Sequence, residues 1–112
     1  MTEEQFEQVA ERFRVLGEPA RLRILSALRE GEATVGELVD RTGLNQANLS
    51  KHLQILHATG FVVRRKEGLF VHYALADEDV FLLCDVMCGR LERAAAGAPA
   101  RRARPGTRRR AG

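Results

Sequence analysis

Between Leu44 and Leu56 the chain reads Leu44-Asn45-Gln46-Ala47-Asn48-Leu49-Ser50-Lys51-His52-Leu53-Gln54-Ile55-Leu56, and this stretch constrains the fold most tightly. Leu49, Leu53 and Leu56 recur at i, i+4 and i+7, the spacing of a buried stripe on a helix. Gln46, Asn48, Ser50, Lys51 and Gln54 point elsewhere and carry groups that donate and accept hydrogen bonds. Side-chain amides match adenine edges, and a serine hydroxyl is small enough to allow close approach. Asn45 suits the N-cap, which makes the amide-rich first turn the exposed tip of the helix. Upstream, Val35-Gly36-Glu37-Leu38-Val39-Asp40-Arg41-Thr42-Gly43 predicts a short amphipathic helix closed by a glycine turn. Two short helices joined in this way predict a helix-turn-helix. An ordinary solvated surface helix has the same local pattern, since polar helix faces are common.

The residues that follow separate the two readings. Gly60 suits the position just past a helix end. Phe61-Val62-Val63-Arg64-Arg65-Lys66 then predicts a strand, Glu67-Gly68 a turn, and Leu69-Phe70-Val71-His72-Tyr73-Ala74-Leu75 a returning strand. β-branched and aromatic residues on both sides of a glycine turn predict a β-hairpin. Its three adjacent cations repel one another in an isolated sheet, but beside phosphates each neutralised charge releases counterions. A helix-turn-helix followed directly by a basic hairpin is a winged helix.

Three segments together resemble the ArsR/SmtB family of bacterial repressors. They are Val15-Leu16-Gly17-Glu18-Pro19-Ala20-Arg21-Leu22-Arg23-Ile24-Leu25, the recognition-helix segment Asn48 to Leu56, and Val71-His72-Tyr73-Ala74-Leu75. The resemblance covers roughly residues 5 to 95. It implies a mainly α protein with a small β-hairpin, a winged helix-turn-helix of four helices, two strands and a fifth helix. It also implies a homodimer on double-stranded operator DNA that an inducer, often a metal ion, releases. The candidate DNA contacts are Gln46, Ala47, Asn48, Ser50, Lys51, His52 and Gln54 on the recognition helix, with Arg64, Arg65 and Lys66 on the wing.

A chain of 112 residues makes one domain with a modest core. It has no apolar run of about 18 residues, so no membrane span is predicted. The acidic Met1-Thr2-Glu3-Glu4-Gln5 start is unlike a signal peptide. Two cysteines without an export signal predict a reducing cytoplasm, and the resemblance implies a bacterial one, at the nucleoid. Residues 1–96 hold 12 of the 18 Lys and Arg and all 15 acids, a net −3, and form the predicted DNA-binding and dimerisation domain. Residues 97–112 hold six arginines and no acid. That composition predicts a disordered tail, either a cationic arm that touches phosphates or an extension without a specific role.

In the first helix Thr2 and Gln5 predict a capping box, and Phe6, Val9, Ala10, Phe13 and Leu16 an apolar stripe. Pro19 opens a second helix with Leu22, Leu25 and Leu28 inward, and Gly31 closes it. A last helix from Asp77 carries Val80, Phe81, Leu83, Cys84, Met87, Cys88 and Leu91. This is more apolar surface than a small domain covers from one side, and a second copy is the expected cover. The expected interface is Phe6, Val9, Phe13, Val80, Leu83, Met87 and Leu91. Arg21 and Arg23 read as solvated charges or partners of nearby acids.

Set against the resemblance, two family metal sites are missing. No cysteine stands near residues 35–40, and after Asp79 the chain has Phe81 and Arg90 where histidines are required. His52, His57 and His72 are too scattered in sequence to suggest one tetrahedral site. No cofactor is required. Cys84 and Cys88, at i and i+4 on the last helix, are the candidate sensor, with three readings open: two small core residues, a soft-metal site needing further ligands, or a thiol-oxidation switch. Side chains at this spacing have Cβ atoms about 5–6 Å apart, and a disulfide needs about 3.8 Å. Direct bridging would therefore distort the helix. An enzyme is not expected, because the thiols lie inside a helix beside Asp85 and no nucleophile–base pair or phosphate loop appears. The alternative function is a winged-helix protein-interaction module. Its surface would favour aromatics over the polar tip and basic wing seen here.

Overall fold

The computed structural model describes residues 1–97. The elements run α1 (Glu3–Leu16), α2 (Pro19–Leu28), β1 (Ala33–Thr34), α3 (Val35–Thr42), α4 (Gln46–Ala58), β2 (Val62–Glu67), β3 (Phe70–Leu75) and α5 (Asp79–Ala95). Apart from Gly97, the expected arginine-rich tail lies outside the described residues. The chain divides into a unit spanning Met1–Asp77 and a second from Glu78 onward, in which α5 is the described element.

Local chemistry sets the helix starts. The Thr2 hydroxyl accepts from the Gln5 backbone N–H at 3.1 Å, and Gln5 Oε1 accepts from the Thr2 N–H at 2.9 Å. Thr34 and Glu37 repeat this reciprocal box at 3.2 and 2.8 Å and open α3. Each box satisfies two of the donors that a helix start leaves without partners. Pro19 occupies the first turn of α2, where its missing N–H costs nothing. Helix α3 stops at Gly43, whose φ of 76° lies in the left-handed region that glycine adopts without a Cβ clash. Thr42 staples the turn that follows, its hydroxyl donating to Leu38 O at 2.7 Å and accepting from the Leu44 N–H at 3.2 Å.

The first unit has a core of fully buried aliphatics: Val15 from α1, Ile24 and Leu25 from α2, Leu38 from α3, and Leu49, Leu53 and Leu56 from α4. Burying each leucine contributes roughly 1.5–3 kcal/mol, so the α4 stripe dominates how that helix is held. On α2 the buried stripe runs through Ile24, Leu25 and Leu28, and Leu22 is exposed. The sequence expectation placed Leu22 inward. Ile24 and Leu25 are adjacent, and their shared burial turns the helix so that Leu22 falls outside the stripe.

The sheet has three antiparallel strands in the order β1-β3-β2, one more than the hairpin expected from the sequence. The added strand, Ala33–Thr34, pairs Ala33 with Tyr73 and Thr34 with His72. β3 is thus the central strand, and Tyr73 is buried at its middle. The hairpin turns through Gly68, at φ 62°, and Leu69.

In the second unit, α5 begins at Asp79, two residues later than expected, and no side chain caps it. Val80, expected at a dimer interface, is 6 % exposed. Leu83, Met87 and Leu91 are exposed, with Leu82 and Val86 beside them. No described helix is long and apolar enough to cross a membrane.

Candidate nucleic-acid interface

Helices α3 and α4, joined across the Gly43 turn, hold a polar helix tip away from the core. Asn45 caps α4, with its Oδ1 accepting from the Asn48 N–H at 2.8 Å. The Asn45 side chain is therefore committed to the backbone, and the amides left at the tip are those of Gln46 and Asn48. Gln46, Ala47, Asn48, Lys51 and Gln54 are exposed, whereas Ser50 and His52 are half-buried on the flanks of the leucine stripe. The positive end of the α4 dipole coincides with this tip and favours an anionic partner there.

Gln46 also lines a cleft of about 370 Å³ together with Thr34, Val35 and Gly36 at the start of α3 and Leu69, Phe70 and Val71 of the wing. The helix tip and the wing thus border a common space. Leu69, at the hairpin turn, is 96 % exposed.

The three wing cations are not equivalent. Cross-strand pairs put Arg64 opposite Tyr73, Arg65 opposite His72 and Lys66 opposite Val71. Alternation along a strand then places Arg64 and Lys66 on the face of buried Tyr73, and Arg65 on the other face with His72 and Glu67. Arg65 is bound to Glu32, in the α2–β1 connection, by a two-pronged ion pair: Nε to Oε2 at 2.8 Å and Nη2 to Oε1 at 2.7 Å. Arg65 Nη1 also lies 3.5 Å from Glu67 Oε1, and His72 Nε2 lies 3.4 Å from that same oxygen. Arg65 therefore ties the wing to the α2–β1 connection, an engagement that no hydrogen bond or ion pair gives Arg64 or Lys66 among the described residues. The hydrogen bonds from Arg65 hold the Glu32 carboxyl below its ordinary pKa. The Glu37 carboxyl is lowered too, chiefly because it accepts the Thr34 backbone N–H.

Arg21 also differs from its expected solvated state. It is half-buried and donates to the Val15 carbonyl and to His52. Arg41 donates to the Ala27 and Gly31 carbonyls at 3.4 and 3.1 Å, closing the end of α2. The Thr34-x-x-Glu37 box is legible in the sequence. The Arg21–His52 and Arg65–Glu32 contacts span 31 and 33 positions and have no local signal. Cys84 is half-buried and Cys88 exposed, both as free thiols. Among the described residues no three His, Cys, Asp or Glu side chains come together as a metal-holding group.

Comparison with known proteins agrees with this architecture. Residues 18–63 match the family described as "Bacterial regulatory protein, arsR family". The HTH-type transcriptional regulator CmtR of Mycobacterium tuberculosis is 47% identical over 64 residues, which is 57% of this chain and 54% of CmtR. The chain therefore matches about half the length of that relative. The crystal structure of M. tuberculosis Rv0081 superposes with a TM-score of 0.72 at 36% identity, covering 85% of this chain and 96% of that one. The homodimeric winged helix-turn-helix DNA-binding domain of Mb0332 from Mycobacterium bovis, described as a possible ArsR-family regulator, gives a TM-score of 0.72 at 33% identity, covering 83% and 93%. With the α3–α4 helix pair and the β2–β3 wing in this arrangement, the chain belongs to the arsR family of bacterial regulatory proteins and has its winged helix-turn-helix fold.

Proposed function

We propose that this chain is a transcriptional repressor that binds operator DNA as a homodimer. The observation that carries the reading is the tip of α4. Gln46 and Asn48 are exposed there, beside a cap that fixes the first turn and over a leucine stripe that fixes the helix. Base edges are read by such amides, and phosphates by cations such as Lys51, Arg64 and Lys66.

Dimerisation is supported by apolar side chains left in solvent on two helices. Phe6 and Phe13 of α1 are 55% and 56% exposed, and Leu83, Met87 and Leu91 of α5 are exposed in addition. A second copy covering these faces removes the exposure and supplies the second reading head. Two heads on a two-fold axis meet DNA about 34 Å apart, one duplex turn, which calls for an inverted repeat. The test is a gel shift with the duplex upstream of the protein's own gene and a scrambled duplex of equal length. Preference for the first supports the reading, and equal binding to both refutes it.

The same reading places the switch at Cys84 and Cys88, which follow Val80 along one row of α5. The thiols are free and Cys88 is exposed, so modification at Cys88 requires no unfolding. An adduct there disturbs a helix expected to join the protomers, so reduced protein binds the upstream duplex and oxidised protein releases it. The Cys84→Ser, Cys88→Ser protein keeps its affinity and stops responding. Native thiols that resist titration, or a double mutant that still responds, refute the switch.

A further inference from the structure

Arg21 makes contacts that neither base reading nor phosphate binding requires. It lies in the first turn of α2, at the fold's junction with two other helices. Its Nη1 donates to the Val15 carbonyl at 3.2 Å, and its Nε donates to His52 Nδ1 on α4, also at 3.2 Å. Val15 is fully buried and is the penultimate residue of α1. Its carbonyl is among those that a helix end leaves without an intrahelical partner. One half-buried guanidinium thus joins the end of α1, the start of α2 and the flank of α4.

Arginine has only donors, so His52 Nδ1 must present its lone pair to it, and the neutral ring carries its single proton on Nε2. His52 follows Asn48 by one helical turn on the same side of α4. A bond made at His52 therefore acts on the flank that carries an exposed reading amide. The leucines beneath α4 hold it by non-directional burial, which resists withdrawal of the helix more than rotation about its axis. Side-chain tips lie about 5–6 Å from a helix axis, so a rotation of about 10° moves them about 1 Å. Hydrogen bonds to base edges weaken steeply with such displacement.

We infer that Arg21 is the positioning residue of the recognition helix: through the Nδ1 lone pair of His52 it fixes the rotation of α4, and with it the aim of Gln46 and Asn48. The inference rests on the DNA-binding reading and deepens it. Arg21 itself touches no base.

Three variants separate geometry from charge and from bulk stability. Arg21→Lys keeps the charge, but its compact ammonium lacks the fork that reaches both acceptors. His52→Asn cannot ionise, yet its Oδ1 lies where Nδ1 was and still offers an acceptor to Arg21, whereas His52→Leu offers none. Arg21→Lys and His52→Leu each lose about tenfold on the duplex upstream of the gene, the equivalent of one hydrogen bond to a charged group. Arg21→Lys stays within about twofold on a scrambled duplex, which reports phosphate contact alone. His52→Asn retains most of the preference. Imidazole ¹⁵N spectra of the free protein show the proton of His52 on Nε2 in the wild type and a mixture of tautomers in Arg21→Lys.

Equal losses on both duplexes, an unaltered preference in Arg21→Lys, or a wild-type proton on Nδ1 overturns the inference. If the wild type does not discriminate between the duplexes, the DNA-binding reading fails and the positioning role fails with it. The tautomer spectra then still decide whether the Arg21–His52 bond exists.

Discussion

Asn45 and Asn48 are three residues apart on the same protruding helix start, and only one of the two side chains is engaged within the described residues. The Asn45 side chain accepts the Asn48 backbone N–H at 2.8 Å, while the Asn48 side chain is exposed and makes no hydrogen bond among the described residues. Asn45→Ala therefore removes a cap and costs about 1 kcal/mol of stability. For a domain of this size that lowers the melting temperature by about 4–8 °C. Its effect on DNA is indirect, through fraying of the first turn, and falls on every sequence alike. Asn48→Ala removes no intrachain contact and shifts stability by less than about 0.5 kcal/mol. It takes one reading amide from the operator, at a cost of about 1–3 kcal/mol, or roughly 5- to 150-fold in affinity. Thermal melts at one protein concentration, paired with titrations of the upstream and scrambled duplexes at one salt concentration, measure both effects. The reasoning is refuted if Asn48→Ala melts early, if it loses equally on both duplexes, or if Asn45→Ala loses operator preference with no change in melting.

Arg64→Ala and Lys66→Ala each lower the salt dependence of binding by about one ion, whereas Arg65→Ala leaves that slope unchanged, because Arg65 is committed to Glu32; equal slopes for all three variants contradict the two-faced wing. Leu83→Glu places a charge in the expected interface, so sedimentation shows a monomer that no longer binds the upstream duplex, and a monomeric wild type defeats the dimer. The carboxyls of Glu32 and Glu37 are lowered in the fold, so their contribution is complete above the ordinary carboxylate range and is lost as pH falls through the depressed values. Melting temperature therefore drops on acidification, less steeply in Glu32→Gln, and an unchanged acid limb in that variant removes Glu32 from the account.

The features legible in the sequence are those with a local period. The i, i+4, i+7 leucines of α4 are fully buried as their spacing requires, and Asn45 and the Thr2–Gln5 pair cap their helices as their types predict. The wing follows from two apolar runs around Gly68. β1 has no such signature, since two residues cannot display alternation, and Ala33–Thr34 becomes a strand only by pairing with β3. Val80 lies among apolar neighbours on α5, and no periodicity sets it apart from the exposed Leu83, Met87 and Leu91.

Charge was the least legible property, because a cation's task depends on what folding brings to it. Arg64, Arg65 and Lys66 form one basic run in the sequence. Strand alternation alone assigns Arg65 to the opposite face from its neighbours, but it does not reveal that Glu32, 33 positions earlier, stands there with both carboxylate oxygens in reach. Arg21 makes the same point from the other direction. It sits beside Arg23 in an ordinary basic pair, yet only Arg21 enters the junction where an unpaired helix-end carbonyl and an imidazole nitrogen need a donor. Buried acceptors without partners are costly, so such a junction selects the cation with a planar, many-pronged donor set. Net charge therefore cannot be read as phosphate-binding capacity: Arg21, Arg41 and Arg65 are engaged by acceptors of the chain itself, while Lys51, Arg64 and Lys66 are exposed on α4 and the wing.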